Sequence, residues 1–247
     1  MTTNALYTDL SGYYDLMCAD IDYREQSAYV QRLHHLLGNQ GLDCVDLACG
    51  TGPHLRHFID SGYSVTGVDI NQPMLDIAQE RCREAIFLQQ DMSELSLPSQ
   101  ADLITCFLYS LHYNQSIEKL SACIQKVHRA LRPGGMFCFN AVDKGQIDNR
   151  AGIKRKLHHD GSDFSFQSNW FYSGTDDQQQ LQLTIEKTTD GETQHWQDQH
   201  PMVAITFEAL RALLTPYFEL NIFTHDYQTI TSWDGQSGNA IFVGIKR

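Results

Sequence analysis

No stretch of this sequence approaches the roughly 18 apolar residues that a membrane-spanning helix needs. The nearest, residues 103–111, is about half that length and carries polar groups. The seven cysteines include no Cys-x-x-Cys pair, which removes the usual zinc and thioredoxin signatures, and no metal is expected. They are odd in number and scattered, and several, such as Cys106 and Cys138, lie inside apolar runs. They read as buried, reduced thiols of a cytoplasmic protein. Basic residues are few: 18 Lys and Arg stand against 30 Asp and Glu, so the net charge is −12. Such a chain is a poor match to a polyanion, and a nucleic-acid partner is disfavoured. No Gly-Lys-Ser/Thr occurs, so there is no Walker A loop. The N-terminus has no basic stretch before an apolar one, so no secretory leader is expected.

What is present is ordinary globular composition, with 42% hydrophobic and 19% charged residues in 247. The length suits one large α/β domain, alone or with a small appendage. A helix is expected over 22–37, where apolar positions recur at helical spacing. Short apolar strands at 43–48, 63–69, 85–89, 101–107 and 136–142 then alternate with helices at 53–60, 73–83 and 117–131. A turn is expected at Arg132-Pro-Gly-Gly135, because two glycines after a proline re-aim the chain. Strands alternating with helices imply a doubly wound, mostly parallel sheet covered on both faces.

After Asp143 the texture changes. Residues 144–156 hold the chain's one basic cluster, most simply a solvated face. Polar and apolar residues alternate over 164–172, 179–187 and 193–203, with a tight-turn signal at Asp190-Gly191. This predicts a three-stranded antiparallel meander. A helix at 207–214 and closing strands at 218–223 and 240–246 follow. The expected division is 1–142 with 204–247 as one domain and 143–203 as an inserted subdomain.

The candidate site gathers at strand ends, where ligands of open α/β sheets bind. Asp46-Leu-Ala-Cys-Gly50-Thr-Gly52 ends the first strand, and its glycines admit a ligand close to backbone. The dinucleotide pattern Gly-x-Gly-x-x-Gly fails, because Leu55 stands at its last position. Asp69 ends the second strand, where a carboxylate can accept both hydroxyls of a ribose. Asp91 and Met92 follow the third strand; the acid could take an amino proton of adenine, and the thioether could pack on the ring. Acids without a cationic phosphate clamp imply a ligand with an adenosine-like part and a cationic or zwitterionic part.

Asp46-Leu-Ala-Cys-Gly-Thr-Gly52, Gly67-Val-Asp69, Gln90-Asp91-Met92 and Leu131-Arg-Pro-Gly-Gly135 resemble, in order and spacing, the motifs of class I S-adenosylmethionine-dependent methyltransferases. The resemblance covers residues 40–142. It implies a Rossmann-like seven-stranded sheet with the last strand antiparallel, and S-adenosyl-L-methionine as cofactor, released as S-adenosyl-L-homocysteine. It implies that the Gly50–Gly52 loop lies under the methionine part, that Asp69 holds the ribose, and that Asp91 and Met92 meet the adenine; Asp46, Ala48, Ile70, Met74 and Phe107 are further candidates for cofactor contact, although Met74 on a helix could equally be core. Ala48 departs from the glycine that many members carry there, and little effect on affinity is expected. The outer parts resemble small bacterial members with an antiparallel sheet inserted after the fifth strand. In that group Tyr14 and Tyr23 would fold over the cofactor.

The expected reaction is direct displacement of the methyl group onto nitrogen or oxygen of a small-molecule acceptor. Alignment and a dry pocket can carry much of the barrier, so a general base is optional. His112, Tyr113 and His200 are the candidates if one is used. Trp170, Phe171, Tyr172 and Trp196 could wall an acceptor pocket or pack the meander. An RNA or protein methyltransferase is the alternative, although the Asn/Asp-Pro-Pro-aromatic signature of base amino methylation is replaced here by Phe107-Leu-Tyr-Ser. A cofactor-binding module without catalysis is a third reading. Monomer and dimer are both left open.

Overall fold

The computed structural model describes residues 5–7 and 10–247. Six helices, α1 Tyr14–Met17, α2 Tyr23–Leu37, α3 Pro53–Asp60, α4 Gln72–Arg81, α5 Ile117–Ala130 and α6 Phe207–Leu214, combine with eleven strands among the described residues. Seven strands form the main sheet: β1 Asp43–Leu47, β2 Ser64–Asp69, β3 Ile86–Gln89, β4 Ala101–Cys106, β5 Leu131–Val142, β10 Phe218–Thr224 and β11 Asn239–Lys246. Their spatial order is β10-β11-β5-β4-β1-β2-β3. β11 alone runs antiparallel to both of its neighbours. The expected Rossmann-like sheet with its reversed last strand is therefore present.

The sequence order turns back on itself between β1 and β4. Adjacent crossovers leave in opposite directions there, which opens a crevice at the strands' carboxyl ends. β4 is buried along its whole length, as a central strand with covered faces must be. On one face α5 seats Leu120, Cys123, Ile124 and Val127 at helical spacing against Phe137, Phe139 and the apolar side of α6. Each such buried aliphatic side chain contributes about 1.5–3 kcal/mol. On the other face Tyr29, Val30 and Leu33 of α2 meet Leu55 and Phe58 of α3. All seven cysteines are free and buried.

The expected turn at 132–135 is instead part of β5. Ala101 pairs with Leu131 and Leu103 with Met136, so the intervening residues bulge out of the ladder. Arg132 reaches back from the bulge to Asp102 and Asp43, each at 2.7 Å.

The inserted sheet has four strands, not three: β6 Gly152–His159, β7 Ser162–Tyr172, β8 Gln178–Thr189 and β9 Glu192–Val203, in chain order and antiparallel. The additional strand begins within the basic segment and takes in Lys154, Arg155 and Lys156. Its period-2 alternation of Ile153, Arg155 and Leu157 with Lys154, Lys156 and His158 is hidden by charge. An edge strand facing water tolerates that composition, and lysines on it discourage pairing with other chains. Asp160-Gly161, with φ of +47° and +70°, closes the β6–β7 hairpin as Asp190-Gly191 closes β8–β9. One face of this sheet, through Phe164, Phe166, Leu183 and Ile185, packs on Leu6 and Leu10 of the N-terminal segment. No helix among the described residues is long and apolar enough to cross a membrane.

Candidate active site

The crevice at the switch point is a cleft with about 930 Å³ of empty space, its solvent mouth included, within the range of small-molecule sites. Its floor is the turn after β1. Ala48, Gly50 and Gly52 all have positive φ, at +53°, +55° and +79°. The two glycines serve different needs. A Cβ on Gly50 would meet only Tyr14, at 3.9 Å, so the turn opens into the cleft. A Cβ on Gly52 would press on Ala78 at 3.2 Å, so that glycine lets α3 approach α4.

Asp69 fastens this floor. Its Oδ2 accepts the Gly50 N–H at 2.9 Å and its Oδ1 accepts the Asn71 N–H at 2.9 Å. Burial raises its pKa, and these backbone bonds oppose the shift. An ionised carboxylate has about four acceptor positions, so capacity remains for a diol. Asp91 caps the 3-10 turn Met92–Glu94, accepting from Ser93 N–H and Oγ–H at 2.9 and 2.8 Å. Burial pushes its pKa up, but the Ser93 bonds and Lys119, 3.6 Å away, hold it below the usual carboxylate range. Met92 is fixed by the Asn114 amide, which donates to its sulfur at 3.4 Å.

The N-terminal segment roofs the cleft with Tyr7 and Tyr14. Asp15, in the same helix as Tyr14, accepts the Thr51 hydroxyl at 2.5 Å and pairs with Arg81. Arg81 also donates to the Thr51 carbonyl at 2.8 Å. One polar cluster thus ties the roof, the glycine turn and α4. The far wall is the 3-10 turn Ser110–Asn114 after β4, which contributes Ser110 and Tyr113. Its flanks carry three non-glycine residues at positive φ, Leu108, Tyr109 and Gln115. Strain of this kind persists where surrounding structure over-determines it. Here Asn140 accepts the Tyr109 N–H at 3.1 Å, and Gln178 of β8 donates to the Gln115 carbonyl at 2.8 Å.

Of the residues singled out in the sequence, Tyr14, Ala48, Gly50, Asp69, Ile70, Met74, Asp91, Met92 and Tyr113 line the cleft. Tyr23, Asp46, Gly52, Phe107, His112 and His200 do not line it. Asp46 is buried within the sheet, accepts the Thr105 hydroxyl at 2.7 Å, and has its pKa pushed up to about 7 by burial. Phe107 stacks on His54 at 3.7 Å, and Tyr23 meets the same ring edge-on. His112 has both nitrogens committed. The Val142 N–H donates to Nε2 at 3.1 Å, so the proton lies on Nδ1, which donates to the Val203 carbonyl at 2.9 Å. Burial lowers its pKa to about 4, and the ring has no lone pair left for an acceptor's proton. His200 is linked to the cleft through Tyr113, at 2.8 Å. Trp170 packs edge-on against Tyr109 and His112, while Phe171 is exposed. In the basic segment, Lys144 pairs with Asp177 and Arg155 with Asp20.

Tyr7, Asn71, Gln115 and Lys119 also line the cleft and are not among the residues singled out in the sequence, while Gln90 and Ser110 lie in segments quoted there without a role of their own. Asn71 carried a usable signal, since a residue two past a strand-end aspartate commonly donates its N–H back to that carboxylate. Tyr7 carried none, because only the tertiary path of the N-terminal segment brings it to the cleft.

This arrangement is the fold of the class I S-adenosylmethionine-dependent methyltransferases. Residues 44–135, from β1 through the β5 bulge, match the family model described as a methyltransferase domain. DesVI from Streptomyces venezuelae superposes with a TM-score of 0.84 at 21% identity, covering 97% of this chain and 99% of that one. A sugar N-methyltransferase from Streptoalloteichus superposes with a TM-score of 0.82 at 20% identity, covering 95% and 92%. By sequence, the chain is 30% identical over 115 residues to the dTDP-3-amino-3,6-dideoxy-alpha-D-glucopyranose N,N-dimethyltransferase of Streptomyces fradiae, covering 47% of this chain and 45% of that protein. It is 30% identical over 141 residues to the malonyl-[acyl-carrier protein] O-methyltransferase of Pectobacterium atrosepticum, covering 57% and 54%. The chain thus spans about half the length of the curated relatives it matches.

Proposed function

We propose that this protein is an S-adenosyl-L-methionine-dependent methyltransferase acting on a small-molecule acceptor, with an amine of an amino sugar as the leading acceptor class. The observation that carries the reading is the cleft itself: a positive-φ turn opening upward beneath Tyr14, with Asp69 and Asp91 at the ends of neighbouring strands. Among the described residues, Lys119 is the one cationic side chain lining the cleft, and it pairs with Asp91 at 3.6 Å. Acids at the nucleoside end and an aromatic roof suit a cationic nucleoside better than a nucleotide.

In this reading the bound cofactor supplies an electrophilic sulfonium methyl group. Asp69 takes the ribose hydroxyls, and Asp91 and Met92 meet the adenine. Gly50 gives the methionine part room over the turn, and Tyr7 and Tyr14 exclude water from above. Residues 1–142 and 204–247 act as the cofactor domain, and 143–203 as the cover on the acceptor side. Holding nucleophile and methyl in line can supply several kcal/mol of the barrier, about 7–11 in the best model systems. The sugar-amine preference rests on relatives that methylate amino sugars and matches the cleft's aromatic and acidic walls.

The test is incubation with methyl-labelled cofactor and separate metabolite, RNA and protein fractions, beside dTDP-3-amino-3,6-dideoxy-α-D-glucopyranose. Label in the amino sugar or the metabolite fraction is expected. Label confined to RNA or protein contradicts a small acceptor, and bound cofactor without any transfer contradicts catalysis.

A further inference from the structure

Behind the cleft lies a chain of polar side chains that the methyl-transfer reading does not itself require. The Tyr7 and Tyr113 hydroxyls are 2.7 Å apart, and both residues line the cleft. The Tyr113 hydroxyl is 2.8 Å from His200 Nδ1. His200 Nε2 lies 3.8 Å from Asp198 Oδ2. His200 and Asp198 are two apart on β9 and so share a face, and both are almost wholly buried. The Leu6 N–H donates to the same Asp198 oxygen at 3.1 Å, fixing the carboxylate.

Proton positions follow from the partners. Nε2 makes no hydrogen bond among the described residues, but the nearby Asp198 favours the imidazole proton on that side, and Nδ1, in hydrogen-bond contact with the Tyr113 hydroxyl, is left as acceptor. Tyr113 then donates to Nδ1, and its oxygen accepts from Tyr7. Every link points inward from the cleft to a neutral imidazole backed by an acid. Three separate pieces of chain, the N-terminal turn, the turn after β4 and the inserted sheet, each contribute to this line.

Resting on the proposed methyl transfer, we infer that Tyr7, Tyr113, His200 and Asp198 form a proton relay that carries away the proton an amine acceptor loses on methylation. The N–H bond of the methylated amine breaks as a Tyr7 O–H bond forms. Tyr7 passes its own proton to the Tyr113 oxygen, and Tyr113 passes its proton to His200 Nδ1. The resulting imidazolium is stabilised by Asp198. The electron pair of the broken S–C bond stays on sulfur, so charge balances with one proton stored on His200. The proton leaves by the reverse path once the products have gone. Tyr7 is the catalytic residue of the relay, while Tyr113, His200 and Asp198 act through it.

Burial lowers the pKa of His200 and Asp198 opposes that shift, while burial raises both tyrosines. The groups facing His200 are Tyr7 from the N-terminal turn, Tyr113 from the turn after β4 and Asp198 from its own strand. Cys18 and Asp69 also act on Tyr7.

The test begins on the protein without cofactor. Nitrogen-15 NMR, with His200→Gln to assign the ring, should find Nδ1 unprotonated at neutral pH. Tyr113→Phe and Tyr7→Phe keep their rings and lose only a hydroxyl; each should move the Nδ1 resonance and the midpoint of His200 titration. A proton on Nδ1, or a His200 signal indifferent to Tyr7→Phe, overturns the relay. S-adenosyl-L-homocysteine affinity is measured on the same variants, and its absence in the wild type would instead sink the cofactor reading. With dTDP-3-amino-3,6-dideoxy-α-D-glucopyranose as acceptor, kcat of Tyr7→Phe and His200→Gln should fall by about 100-fold, the scale of general-base catalysis, with homocysteine-product affinity retained. An undiminished kcat contradicts the inference.

Discussion

Asp69 does two jobs with one carboxylate: it closes the glycine turn by accepting the Gly50 N–H, and it keeps acceptor capacity toward the cleft. Its removal should therefore cost both binding and local order. Hydrogen bonds to a charged group contribute about 1.5–3 kcal/mol, so Asp69→Ala is expected to weaken S-adenosyl-L-homocysteine by roughly 10- to 150-fold. Ala48 shows a different cost. A non-glycine residue in the left-handed region is strained by about 1–2 kcal/mol, while glycine loses about 0.5–1 kcal/mol more on ordering. Ala48→Gly should raise stability by a net amount of about 0.5–1 kcal/mol, read by urea denaturation. Asp46 adds a pH signature. Its pKa rises from 3.8 unfolded to about 7 folded. The folded state holds a proton that the unfolded state has lost, so Asp46's contribution is fully present below the unfolded value and disappears as pH rises through about 7. Asp46→Asn stays neutral, so its stability advantage over wild type should widen from about pH 4 to pH 7 and then level off. A gap that narrows over that interval would contradict the buried, raised acid.

At the level of elements, the alternating strands and helices were legible because hydrophobic period, Pro-led helix starts and glycine stops agree with one another. The closing pair β10 and β11 also showed, since β10 alternates Phe218, Leu220 and Ile222 with polar residues and β11 runs nearly unbroken in small and apolar residues from Ala240 to Ile245. What hid was carried by backbone rather than side-chain pattern. β6 is a strand because eight of its residues pair with β7, not because it looks like one, and Asp160-Gly161 was the turn signal for it. The 132–135 segment has turn composition yet bulges within a continuing strand, since the ladder resumes at Met136. The site followed the same division. Strand-end acids and the glycine turn are local and readable, while Tyr7 and Lys119 reach the cleft only through tertiary packing. The Asp15–Thr51–Arg81 cluster is an element-scale device of this second kind. Its ion pair is partly exposed, so by itself it contributes at most about 1 kcal/mol to global stability. Its larger effect should be on the roof: Asp15→Ala is expected to quicken product release several-fold in stopped-flow measurements while the melting temperature barely changes. An unchanged release rate would mean that the roof is held by Leu6 and Leu10 packing alone.

For the whole molecule, the N-terminal segment joins the inserted sheet to the crevice of the main one. It packs Leu6 and Leu10 on the inserted sheet, and it lays Tyr14 over the turn of the main one. Ligand in the crevice should therefore stabilise the assembly as a unit. Saturation at 100 times Kd adds about 2.7 kcal/mol, which for a chain of this size raises the melting temperature by roughly 5–10 °C. The net charge of −12 works in the same direction as the acids in the cleft, favouring a cationic ligand over a polyanion. The most direct measurement of the central claim is isothermal titration of the folded protein with S-adenosyl-L-methionine and S-adenosyl-L-homocysteine, in parallel with Asp69→Ala. Saturable one-to-one binding of both compounds, strongly weakened in the variant, is the expected result. A folded wild-type protein that binds neither compound, or a variant that binds both as tightly as wild type, would contradict it.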